Sequence, residues 1–133
     1  MATVSLHADL AQLMTIRVFV VQSGRELDLE DEALFELQLA VDEACTNVIK
    51  HAYGGRGGMI EVTVEPDEDG VRVVIRDWGK PFELQKIPVP DVTLPLEQRE
   101  LGGLGLFLMH RLVDDIRFEF DTEKGNTLTM VKR

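Results

Sequence analysis

The sequence predicts an α+β fold, a two-layer sandwich in which a mixed, mostly antiparallel sheet is covered on one face by three helices. Three observations carry this reading. Segments with alternating apolar residues follow one another across tight turns, which favours antiparallel hairpins. Three other stretches repeat apolar residues at helical spacing and must bury those stripes. The resulting order, β-α-α-β-β-loop-α-β-β, leaves the helices to cover one side of the sheet.

Each element has its own signal. Thr3 to Leu6 reads as a short strand. Asp9 is placed to cap a helix from about Leu10 to Ser23, with Leu10, Leu13, Met14, Val18 and Val21 as its apolar set and Gly24 as its stop. The longest helical pattern runs from about Asp31 to His51. Its stripe is Leu34, Leu37, Val41, Ala44, Val48 and Ala52, and glycines at 54, 55, 57 and 58 break it. Met59 to Glu65 alternates, with Ile60, Val62 and Val64 on one face. The run Pro66-Asp67-Glu68-Asp69-Gly70 turns the chain into a second strand, Val71 to Ile75. Pro88, Pro90 and Pro95 disfavour a long helix in the connection from Lys80 to Gly103, and a connection of that length is usually functional or disordered. Leu104 to Val113 reads as a helix. Ile116 to Phe120 and Thr127 to Lys132 read as strands joined by a turn at Glu123 to Asn126.

Composition narrows the function classes. The 133 residues suit a single domain, 1–133, and 44% apolar content can fill a core. A net charge of −10 argues against nucleic-acid binding, which draws affinity from Lys and Arg on phosphates, and against docking on anionic membrane. The lone cysteine, Cys45, permits no internal disulfide and suits a reducing cytoplasm. No apolar run approaches the ~20 residues that span a bilayer, and the start of the chain lacks the pattern of a secretory signal.

Candidate chemistry falls on three segments. On the long helix Glu43, Asn47 and His51 recur every fourth residue, about a quarter-turn from the apolar stripe, at the rim of the core. An amide oxygen and a carboxylate are hard ligands of the kind Mg²⁺ accepts, and a carboxylate beside a phosphate can take a proton from an attacking hydroxyl. The bland alternative is a solvated helix flank. At the end of the second hairpin strand, Asp77 shares parity with Val71, Val73 and Ile75, so its carboxylate points with the core-facing side chains. The amino group of a bound base would satisfy it there, while Gly79 leaves room for a flat ring; an ordinary turn is the rival reading. Finally, Leu101-Gly102-Gly103-Leu104-Gly105-Leu106 opens a helix, where bare backbone N–H groups favour phosphate. None of this matches a Walker loop or a dinucleotide fingerprint.

Taken together in this order, these segments resemble the GHKL ATPase superfamily, and within it the anti-sigma-factor serine kinases of the RsbW type. Leu39 to Tyr53 looks like the family's N box, Asp77 to Phe82 like its first glycine box, Gly102 to Leu106 like the second and Gly125-Asn126-Thr127 like the third. The resemblance implies a Bergerat-type ATP-binding fold with ATP and Mg²⁺ as cofactors. It implies that Asn47 binds Mg²⁺ and that Glu43 is the general base toward a serine or threonine hydroxyl. Asp77 would accept a hydrogen bond from the adenine amino group, beside Gly79, with Thr127 at the back of the pocket, although strand parity leaves the facing of Thr127 open. Gly102, Gly103, Leu104 and Gly105 would cradle phosphates at the end of an ATP lid, about 80–103, in which Arg99 or Lys86 could meet the γ-phosphate. His51, His110 and Cys45 read as structural or surface residues. The implied partners are a STAS-domain anti-anti-sigma antagonist, a sigma factor and a second copy of the chain. A histidine-kinase catalytic domain is disfavoured, because no helical hairpin surrounds His7. A nucleotide-dependent binding module without transfer is the non-enzymatic alternative.

Overall fold

The computed structural model describes residues 1–53, 57–80, 109–121 and 123–133. Five strands form one sheet: β1 (Ala2–His7), β2 (Met59–Asp67), β3 (Gly70–Asp77), β4 (Asp115–Asp121) and β5 (Gly125–Lys132). Their spatial order is β1-β2-β3-β5-β4. All four described pairings are antiparallel, so the parallel component allowed by a mixed sheet is absent among the described residues. Two helices precede the hairpin, α1 (Leu13–Glu26) and α2 (Asp31–Asn47). Of the expected helix from Leu104 to Val113, residues 109–112 are helical and 104–108 lie outside the described residues.

The hairpin formed as its alternation demands. Ile60, Val62 and Val64 of β2 and Val71, Val73 and Ile75 of β3 are all buried on the helix-covered face. Leu37, Val41, Ala44 and Val48 pack on them from the long helical segment, with Met109, Leu128 and Met130 completing the core. Each buried Val, Leu or Ile side chain contributes roughly 1.5–3 kcal/mol relative to exposure. The opposite face carries Thr3, Thr63, Glu61, Arg76, Arg117 and Glu119, which alternate with the core residues along their strands. No helix among the described residues is long and apolar enough to cross a membrane.

The first helical region departs from expectation in three ways. Asp9 does cap it, its Oδ1 accepting from the Ala11 N–H at 2.9 Å, but Leu10–Gln12 forms a 3₁₀ turn before α1 begins. The buried face is not the one through Leu10, Met14 and Val18, which are exposed; it runs through Ile16, Val20, Ser23 and Gly24. Apolar residues surround this helix, so spacing alone left two stripes open, and packing selected the stripe that carries small residues at its end. Nor does Gly24 stop the helix. A Cβ there would strike Leu34 Cδ1, so the glycine lets α1 approach α2 closely. The helix ends instead beyond Glu26, where Asp28 takes a left-handed φ of 61°.

The long helix also changes character. After Asn47 the chain widens into a π-helical turn, Val48–Ala52, rather than continuing as α-helix to His51. Widened turns of this kind recur at functional sites. Here the turn presents the Ala52 carbonyl to the Lys80 N–H at 2.7 Å, tying the end of the helical segment to the residues that follow β3.

Candidate active site

The parity of β3 delivers Asp77 where the sequence placed it. It follows Ile75 on the inner face at the end of the strand and is only 3% exposed. Both of its described hydrogen bonds land on Oδ1, one from the Gly79 N–H at 3.0 Å and one from Asn126 Nδ2 at 2.8 Å. Burial raises the Asp77 pKa above the ordinary aspartate value, and these two bonds oppose that rise.

Asp77 lies in a narrow slot between the helical layer and the β5 end of the sheet. Val48 supplies the helical wall. Ile75, Phe118, Phe120 and Leu128 supply the apolar wall of the sheet, and Asn126 and Thr127 line it from the start of β5. Apolar walls with a few convergent polar groups suit a flat heteroaromatic ring that carries a hydrogen-bond donor. Asn126, Leu128 and Met130 alternate as inward, buried residues of β5, so the same alternation turns the Thr127 side chain toward the outer face even though the residue borders the slot. The β5 side chain that touches Asp77 is that of Asn126, directly opposite it in the ladder.

The helical residues grade from rim to interior. Glu43 is half-buried, Asn47 is 8% exposed and His51 is exposed. The Asn47 Nδ2 is buried without a partner among the described residues, a polar group that a ligand oxygen would satisfy. Neither Glu43 nor Asn47 lines the slot itself; Asn47 adjoins it through its neighbour Val48. Among the described residues no three His, Cys, Asp or Glu side chains converge as a metal site. The preceding turn is braced from two sides: Arg17 Nη2 of α1 and Gln38 Nε2 of α2 itself donate to Asp42 Oδ2 at 2.7 and 2.9 Å. Cys45 is fully buried and its pKa is raised by burial, which leaves it an unreactive core thiol.

Two residues lock the turn after β3. Tyr53 donates through its hydroxyl to the Met59 carbonyl and accepts from the Trp78 N–H at 2.9 Å, joining the end of the helical segment to β2 and β3. Desolvation raises the Tyr53 pKa, so the hydroxyl keeps the proton it donates. Gly79 lies against the Ala52 carbonyl, where an added Cβ would collide with backbone. This packing is a reason for glycine beyond leaving room for a base. Gly79→Ala is expected to cost about 1–3 kcal/mol of stability and to weaken nucleotide binding with it; thermal melts and a nucleotide titration of the variant check both effects.

Arg99, Lys86, Gly102, Gly103, Leu104 and Gly105 lie outside the described residues, as does the lid from 81 onward. Asp77, Gly79 and Thr127 converge at the slot or its rim, with Asn47 alongside and Glu43 one helical turn before it. The sequence reading missed the contact made by Asn126. The signal was available in its parity with Leu128 and Met130, which marks it as the inward residue of the Gly125-Asn126-Thr127 turn.

Comparison with known proteins gives concordant results. The model of the histidine kinase-like ATPase domain matches residues 6–132. The serine-protein kinase RsbW of Bacillus cereus is 34% identical over 121 residues, which is 88% of this chain and 74% of that protein. The serine-protein kinase RsbW of Listeria monocytogenes is 40% identical over 106 residues, 76% of this chain and 66% of that one. Among solved structures, the RsbU and RsbW domains of a Mycobacterium tuberculosis protein superpose with a TM-score of 0.63 at 18% identity, covering all of this chain and 33% of that one. A blue-light-activated histidine kinase domain from Erythrobacter litoralis gives 0.56 at 17% identity, covering 92% and 59%. The two structural likenesses speak to fold.

Proposed function

Because the chain belongs to the histidine kinase-like ATPase family, and within it to the RsbW serine-protein kinases, we propose that it is an ATP-dependent serine/threonine protein kinase. In this reading it acts as a cytoplasmic anti-sigma factor in a partner-switching circuit and phosphorylates a serine of a STAS-domain anti-anti-sigma antagonist. The observation that carries the site assignment is the buried Asp77 carboxylate in an apolar slot, one wall of which is Val48, the residue next to the buried Asn47.

Each residue then has a task. Asp77 accepts a hydrogen bond from the adenine amino group, and the walls formed by Val48, Ile75 and Leu128 hold the ring. Asn47 offers its amide oxygen to Mg²⁺, which when bound neutralises charge on the triphosphate. Glu43 takes the proton of the serine hydroxyl as its oxygen bonds to the γ-phosphorus. The bond from that phosphorus to the β–γ bridging oxygen breaks, and ADP departs. Phosphoryl transfer asks for positioning and charge stabilisation more than covalent help from the protein. Thr127, at the border of the slot, would assist at the back of the base, less directly than the others given its outward parity. Residues 80–103 would serve as the lid, with Gly102, Gly103, Leu104 and Gly105 on the phosphates and Arg99 on the γ-phosphate.

Its partners in this reading also include a sigma factor and a second copy of the chain. Incubation with ATP labelled at the γ-phosphate, Mg²⁺ and a STAS-domain partner tests the kinase reading. Label on the partner's serine supports it. A tight ATP-dependent complex without label supports a non-catalytic binding module instead.

A further inference from the structure

The amide of Asn126 is held in an arrangement that ordinary packing does not require. Its Nδ2 donates to two acceptors at once, Asp77 Oδ1 at 2.8 Å and the Gly79 carbonyl at 3.1 Å. Its own Oδ1 is buried and has no partner among the described residues. Turning the amide over would set that oxygen against a carboxylate and a carbonyl, two acceptors, so the contacts themselves settle which end is nitrogen. The residue is 4% exposed and lies directly across the ladder from Asp77. A buried acceptor is therefore left unsatisfied while the donor end holds the 77–79 turn closed. The main-chain Gly79 N–H binds the same Asp77 oxygen at 3.0 Å. Behind this turn, Gly125 has a φ of 91°, and an added Cβ would lie 2.6 Å from the Asp77 carbonyl oxygen, so the start of β5 is pressed against the turn.

We propose that Asn126 is a positioning residue for base selection: it pins Asp77 Oδ1 to the turn and so directs the carboxylate's other oxygen at an exocyclic amino group. The ligand class this favours is a purine nucleotide that presents a donor rather than a keto oxygen at that edge. The inference rests on Asp77 as the base-binding carboxylate. It goes beyond that reading by assigning selectivity, rather than phosphate affinity or transfer, to a residue that touches no reacting atom.

The test is a titration of the full chain and its variants with ATP and with GTP, each with Mg²⁺. The wild-type chain should prefer ATP. Asn126→Ala should bind ATP about tenfold more weakly while GTP affinity stays the same, so the preference narrows. Asn126→Thr, which restores a donor to Asp77, should recover part of the preference and guards against a folding defect in the alanine variant. Parallel weakening of both nucleotides in Asn126→Ala, or an unchanged ATP-to-GTP ratio in both variants, overturns the role. Failure of the wild-type chain to bind ATP at all overturns the underlying nucleotide-site reading instead, so the two failures are distinguishable.

Discussion

Glu43→Ala is expected to bind ATP with nearly wild-type affinity and to transfer its γ-phosphoryl group 10²–10⁴-fold more slowly, about the range that a positioned general base contributes. Glu43 is half-buried on α2, one helical turn before Asn47, and it does not line the slot around Asp77. Removing its side chain therefore leaves the base-binding walls intact. On the proposed mechanism, what disappears is the base that takes the proton of the attacking hydroxyl. Single-turnover phosphorylation of a STAS-domain partner, set beside an ATP titration of the same variant, separates the two effects. Transfer at the wild-type rate would remove Glu43 from the mechanism. A large loss of ATP affinity would move it from proton transfer to binding.

Asp77→Asn is expected to act in the opposite sense. The asparagine can still accept from Gly79 and Asn126 through Oδ1, but it turns a donor toward the amino group of the base. Losing a hydrogen bond to a charged group costs roughly 1.5–3 kcal/mol, or about 10–100-fold in affinity. The same change should leave the ligand-free protein as stable at neutral pH, or more so. Burial raises the Asp77 pKa, so the folded chain holds that proton more tightly than the unfolded chain. Between the ordinary aspartate value and the raised folded one, the unfolded state carries fewer protons, and stability falls as pH rises. The variant lacks this component. Melting curves across that window should show the wild-type chain losing ground to Asp77→Asn as pH rises, and ATP affinity of the wild type should fall on acidification before an exposed aspartate would titrate. A variant that melts lower at every pH would show that the charge is better compensated than its burial suggests.

Much of this was legible from residue order because alternation and charge leave few choices. The hairpin β2–β3 could not place Asp77 anywhere but inward once Val71, Val73 and Ile75 were buried. The stripe of α2 was unambiguous for the same reason, its polar residues being confined to the other sides. In α1 apolar side chains occur all round, and only the close approach at Gly24 decides which face is buried. The π-helical turn after Asn47 has no local signature, since it answers to hydrogen bonds with residues 78–80 that are distant in sequence. Asn126 was hidden by its context: the turn drew attention to Thr127, whereas the ladder register, set by long-range pairing with β3, put the neighbouring amide on Asp77.

The antiparallel hairpin reverses at Asp67–Gly70, seven residue steps from Asp77 along β3. At about 3.3 Å per step this separates the reversal from the carboxylate by about 23 Å. Exposed Glu68 and Asp69 at that bend are suited to a fluorophore or an immobilising tether. A probe attached there would sit far from Asp77 and leave the proposed nucleotide slot unobstructed.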